Sequence, residues 1–220
     1  MPSGCLTSIA TSTPCSTMMC EIVFTFWISR GLTVYRRQGT GAITLATLMS
    51  AVGVAGTKLS EQTIVLYGAG SAGLGIVRQV RGAMVTLDGL DKVEATKRFW
   101  LVDKHGLVTR EMAAQDQRPG WEEFAHGRDE GSDGGLLDVV KRANATVLIG
   151  TSTHGGGFTE VVIKALGANT EYPIILPLSN PSRLVEVEPQ RAMDWSEGRA
   201  LIATGSPFPE VSLPNGKKAM

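Results

Sequence analysis

Beyond Cys20 this 220-residue chain has no cysteine, and the three it does have, Cys5, Cys15 and Cys20, form no metal-ligand spacing. That excludes a disulfide-supported fold and favours a reducing, intracellular setting, mitochondrial or cytoplasmic. Net charge is absent as well. Twenty-one Lys and Arg balance 21 Asp and Glu, so no broad field draws in nucleic acid or an anionic membrane, and an anionic ligand has to be held locally. Long apolar runs are also missing. The longest, residues 22–28, is far below the roughly 20 residues of a membrane span. No basic residue precedes it, as a secretory signal requires. The Ser/Thr-rich, acid-poor start shares its composition with transit peptides, although the first arginine is Arg30.

What is present is an ordinary globular composition, 43% apolar and 19% charged, enough for one substantial domain with ragged extensions. Residues 1–34 lack periodicity and read as an unstructured or atypical segment; residues 35–220 read as the domain. Apolar residues recur at three and four through 41–54, which predicts a helix buried on most of its surface. Continuous apolar strands follow at 63–67, 98–102, 146–149, 174–176 and 200–203. Helical stretches lie between them at 73–90, 136–140, 159–167 and 189–195. Residues 106–133 are polar and read as a surface excursion. Five such strands separated by helices predict an α/β, doubly wound, mainly parallel sheet of Rossmann type.

The first strand runs into Gly68-Ala69-Gly70-Ser71-Ala72-Gly73, a G-x-G-x-x-G pattern that opens a helix. In that setting Gly68 permits the turn, Gly70 admits a pyrophosphate to the backbone, and Gly73 allows close packing. The helix start, with Ser71 and Ala72, offers free N–H groups to phosphate. Asp103 ends the second strand, where a carboxylate accepts ribose hydroxyls and disfavours a 2′-phosphate, so NAD over NADP. Its distance from Gly73 exceeds the usual ~20 residues, which requires an extended crossover. The adjacent Lys104 can pair with a 2′-phosphate, which keeps NADP open. Ser152, in the glycine-rich loop 151–157, and Asn180, before Pro181, follow the third and fourth strands, where ligands of such sheets sit. Asn180 suits a substrate carboxylate or nicotinamide ribose, and equally suits a turn ahead of proline. His154 lacks a carboxylate partner in sequence and reads as exposed.

Taken in order, the segments QGTG (38–41), IVLYGAGSAGLG (64–75), FWLVDKHGL (99–107), PLSNPS (177–182) and ATGSPF (203–208) resemble malic enzymes. The resemblance runs from Gln38 to about Lys217. It implies oxidative decarboxylation of malate to pyruvate with NAD or NADP, Mg²⁺ or Mn²⁺, and a homo-oligomer. It also implies a chain cut short at both ends. The family's Asn-Asp-Asp-Ile stretch before Gln-Gly-Thr is replaced by Val34-Tyr35-Arg36-Arg37, so Arg36 stands where an aspartate binds metal. The tyrosine acid and lysine base are not matched, which leaves no catalytic or metal residue to name. The rival readings are a non-catalytic NAD-binding or interaction module and another Rossmann enzyme, such as an amino-acid dehydrogenase or methyltransferase.

Overall fold

The computed structural model describes residues 39–116, 118–127, 134–213 and 218–219; the 1–34 segment and Arg36 lie outside them. The apolar runs become strands β1 (Ile64–Tyr67), β2 (Phe99–Asp103), β3 (Gly106–Leu107), β4 (Val147–Gly150), β5 (Ile174–Pro177) and β6 (Leu201–Ile202). Side chains of β4 and β5 are buried throughout, as expected for strands covered on both faces. The strands pair in the order β3-β2-β1-β4-β5-β6. Every pairing is parallel except the short β2–β3 hairpin, which the sequence reading did not foresee. Tyr67 lies opposite both Val102 and Gly150, and Gly150 lies opposite Pro177, so the carboxyl ends are level. Strand order reverses between β1 and β4. The crevice outside the strand ends at such a reversal is where open α/β sheets bind ligands.

Helix α1 (Gly39–Ala55) packs on α2 (Ser71–Asp88). It is not buried on most of its surface. Leu45, Leu48 and Val52 face inward, but Ile43 and Val54 are 71% and 64% exposed. Apolar residues surround this helix, so their pattern cannot mark which face a neighbour covers. Gly89, at φ +71°, ends α2, and the Leu90 N–H donates to the Met84 carbonyl at 3.2 Å. A further helix, α3 (Lys92–Lys97), follows at once, its start capped by Asp91, whose carboxylate accepts the Val93 N–H at 2.8 Å. This helix is the extension that the long crossover called for.

The 106–133 stretch is not a surface excursion throughout. It holds β3 and α4 (Arg110–Asp116), and beyond them Trp121 and Phe124 are 0% and 2% exposed. Phe124 meets Phe99 edge-on at 5.7 Å, and Trp121 donates its indole N–H to the Ala69 carbonyl at 2.8 Å. Two large aromatics three residues apart anchor a segment whose charges, proline and glycines read as loop.

Helices α5 (Leu136–Arg142), α6 (Glu160–Asn169) and α7 (Pro189–Trp195) complete the layers. Gly167 lies inside α6 and does not end it. One core joins Val65, Leu148 and Ile175 of the sheet to Val140, Val162 and Leu166 of the helices. Each such side chain contributes about 1.5–3 kcal/mol by burial. Strand β7 (Val211–Ser212) packs on α7 and pairs antiparallel with β8 (Lys218–Ala219). There the Gln190 amide accepts the Ser212 N–H at 2.9 Å and donates to its carbonyl at 3.1 Å.

Candidate cofactor site

The three pattern glycines of the β1–α2 turn have different reasons to be glycine. Gly68 sits at φ +103°, and a Cβ there would lie 2.5 Å from the Ser152 backbone. A Cβ at Gly73 would stand 2.6 Å from the Gly68 carbonyl oxygen and 2.8 Å from the side chains of Leu66 and Thr151. Both positions are dictated by packing within the protein. Gly70 is not: its φ is −79°, which any residue adopts, and a Cβ there would meet nothing within 4 Å. It is the N-cap of α2 and supplies no side-chain cap. The first intrahelical bond runs from the Leu74 N–H to the Gly70 carbonyl, at 2.9 Å. The N–H groups of Ser71, Ala72 and Gly73 therefore precede the helical ladder and have no acceptor within it. Ser71 and Ala72 are exposed. The result is an exposed, partly positive helix start with free backbone N–H groups, suited to an anion.

At the end of β2, Asp103 is largely buried, with its side chain 15% exposed, and it pairs with Arg118 at 2.6 Å. The Arg118 guanidinium lies 4.6 Å from the Trp121 ring centre and also meets Asp116 at 3.0 Å. The cation beside the expected ribose acceptor is thus Arg118, supplied by the stretch read as a surface excursion. Lys104 is exposed.

At the ends of β4 and β5 the organising group is Glu186, 0% exposed. Its Oε1 accepts the Ser152 N–H and the Ser152 hydroxyl, each at 2.9 Å, and the Ser179 hydroxyl at 2.5 Å. Gly150 leaves room for this carboxylate, since a Cβ there would fall 2.6 Å from Oε2. The Ser179 oxygen also accepts the Thr153 N–H at 2.9 Å. The Ser152 hydroxyl accepts the His154 N–H at 3.1 Å, so its donor and one lone pair are engaged inside the protein. Asn180 is exposed and reaches the loop after β6. Its Oδ1 accepts the Ser206 hydroxyl, and its Nδ2 donates to the Gly205 carbonyl at 3.4 Å. His154 is exposed, with its ring edge-on to Tyr67 at 6.4 Å. Burial, then the negative charges of Glu186 and Asp103, push the Tyr67 phenol above its ordinary pKa. A cavity of about 390 Å³ opens between Thr159 at the start of α6 and Glu188 at the start of α7, and no glycine-turn residue lines it.

Residues 37–220 match the family described as the NAD-binding domain of malic enzyme. The chain belongs to the malic enzyme family. It is 45% identical over 185 residues to NAD-dependent malic enzyme 3 of Bacillus subtilis, covering 79% of this chain and 32% of that protein. It is 41% identical over 179 residues to the malolactic enzyme of Lactococcus lactis, covering 80% and 33%. Among solved structures, the malic enzyme of Entamoeba histolytica superposes with a TM-score of 0.62 at 28% identity, covering 81% of this chain and 34% of that one. The malic enzyme of Pyrococcus horikoshii gives 0.60 at 29%, covering 77% and 36%. The chain spans about a third of the length of the curated relatives it matches.

For a malic enzyme segment, the glycine turn, Asp103 and Asn180 were marked in sequence by their position after apolar strands. The structure sets all of them along one edge of the sheet. Arg118, Trp121 and Glu186 carried no such mark. Among the described residues, no group of three or more His, Cys, Asp or Glu is placed to hold a metal ion. Nor is any described helix long and apolar enough to cross a membrane.

Proposed function

We propose that residues 35–220 are the dinucleotide-binding domain of a malic enzyme and hold NAD for the oxidative decarboxylation of malate to pyruvate. The observation that carries this reading is Gly70. The fold has no need of a glycine there, and its side-chain direction opens onto free space at the head of an uncapped 18-residue helix, beside the sheet's reversal point. A pyrophosphate fills such a space and takes the N–H groups of Ser71, Ala72 and Gly73. Asp103 then faces the adenosine ribose, with Arg118 balancing its charge. The loops of Ser152 and Asn180 lie on the side of β4 and β5, toward the other half of the dinucleotide. NAD held there would supply the hydride acceptor for malate oxidation; the contribution of these residues is to orient it.

Asp103 favours NAD and Arg118 narrows the margin, because a guanidinium beside the ribose is also a partner for a 2′-phosphate. Calorimetric titration of the purified chain with NAD and NADP tests both statements. The expected result is tighter NAD binding, with NADP gaining on NAD in Asp103→Asn. Equal affinities in the wild type would refute the role given to Asp103. Failure to bind either cofactor would refute the function.

A further inference from the structure

Glu186 is a fully buried carboxylate held by neutral hydrogen-bond donors. Its partners are the N–H and hydroxyl of Ser152 and the hydroxyl and, at 3.4 Å, the N–H of Ser179. Such a group is costly to take out of water unless hydrogen bonds offset the lost hydration. Here they do, and all of them come from two places: the loop after β4 and the loop after β5. The network closes on itself, since the Ser179 oxygen also receives the Thr153 N–H. Glu186 has its own backbone tied to the loop after β4, its carbonyl accepting the Phe158 N–H at 3.0 Å. One side chain thus sets the spacing of two loops, and Asn180 directly follows one of its partners.

We propose that Glu186 is a positioning residue for the nicotinamide half of the cofactor, acting through the loops of Ser152 and Asn180 without touching the ligand. The proposal rests on the NAD-binding reading above and adds a division of labour to it. The β1–α2 turn and Asp103 hold adenosine and diphosphate. Glu186 governs only what lies across the reversal point, outside β4 and β5. Disturbing it weakens binding of the complete dinucleotide and spares that of the adenosine-diphosphate portion.

The experiment compares NAD and ADP binding, by calorimetry and by chemical-shift titration, in the wild-type chain, E186A, E186Q and S179A, with thermal melts of each. E186A leaves buried donors unmatched and is expected to weaken NAD about ten-fold or more, with ADP affinity within about two-fold of wild type. E186Q is expected to recover part of the loss, because its amide oxygen still accepts donors of Oε1, while its NH2 turns donors toward the Ser179 N–H. S179A removes one arm of the network and, should E186A fold poorly, carries the test alone, with a NAD loss of about three-fold and unchanged ADP binding. Equal losses of NAD and ADP across these variants would reduce Glu186 to a general structural role and overturn the proposal. So would unchanged NAD affinity. A wild-type chain that bound neither nucleotide would instead overturn the NAD-binding reading on which the proposal stands.

Discussion

Replacing the three glycines of the β1–α2 turn one at a time separates what the fold requires from what a ligand requires. Gly73→Ala forces a methyl group within 2.6–2.8 Å of a carbonyl oxygen and two side chains. Overpacking of this kind costs about 1–3 kcal/mol, and at about 2–4 °C per kcal/mol for a domain of this size the melting temperature should fall by roughly 2–12 °C. Gly68→Ala adds a left-handed backbone at φ +103° to a clash with the Ser152 backbone and should fall further. Gly70→Ala meets nothing. Its two small effects oppose each other: losing glycine at an N-cap costs about 0.5–1 kcal/mol, while restricting the unfolded chain returns about 0.4–1 kcal/mol. The free protein should melt within about 2 °C of wild type. With NAD at a hundred times its dissociation constant, wild type gains about 2.7 kcal/mol, a rise of roughly 5–10 °C. Gly70→Val should show no such rise, because its branched side chain occupies the space left for the pyrophosphate. Differential scanning fluorimetry with and without NAD reads the wild type and all four variants. The reasoning fails if Gly70→Ala destabilises the free protein as much as Gly73→Ala, or if Gly70→Val keeps the NAD-induced shift.

Trp121→Phe should lower the melting temperature by about 5 °C or more, because it removes indole volume and leaves the Ala69 carbonyl without its donor; an unchanged midpoint would show that the indole bond stabilises nothing. For Glu123, burial raises the carboxyl pKa, but hydrogen bonds from Arg81 and Arg78 outweigh it and the net shift is downward. The stability from this group is therefore complete above the unfolded carboxylate value, about 4.3, and is lost as pH falls through the lower folded value. Urea midpoints measured between about pH 3 and 6 should fall less steeply in Glu123→Gln than in wild type, and parallel curves would contradict the assignment.

Much of the fold was legible because its inner strands are continuous apolar runs and its first crossover carries a glycine pattern in the right setting. What escaped depended on contacts distant in sequence. Trp121 meets Ala69 across 52 positions, and nothing around residue 121 marks it as a core residue. Arg118 is one charge among several in the same stretch, and only the folded chain brings it to Asp103. Glu186 stands in Val185-Glu186-Val187-Glu188, where alternation suggests that both acids face water. Glu188 is exposed and Glu186 is not, because Gly150 opens a recess that Glu186 fills where the β5–α7 segment crosses over β4. The face of α1 that stays exposed was hidden for the opposite reason: its residues are apolar on every side.

The pairing of β1 with β4 has a consequence for how the molecule comes into being. Thr63 and Thr146, at the foot of that pairing, are bonded across 83 positions, so the centre of the sheet is a long-range closure and not a local hairpin. Closures of this kind form slowly, because chain entropy is lost before contacts compensate for it. The segment through β3 and the segment from β4 onward can each gather locally, but the crevice between them does not exist until they join. A dinucleotide lying across that junction would bond to both halves. It would slow their separation, holding the domain together at the line where its assembly is completed last.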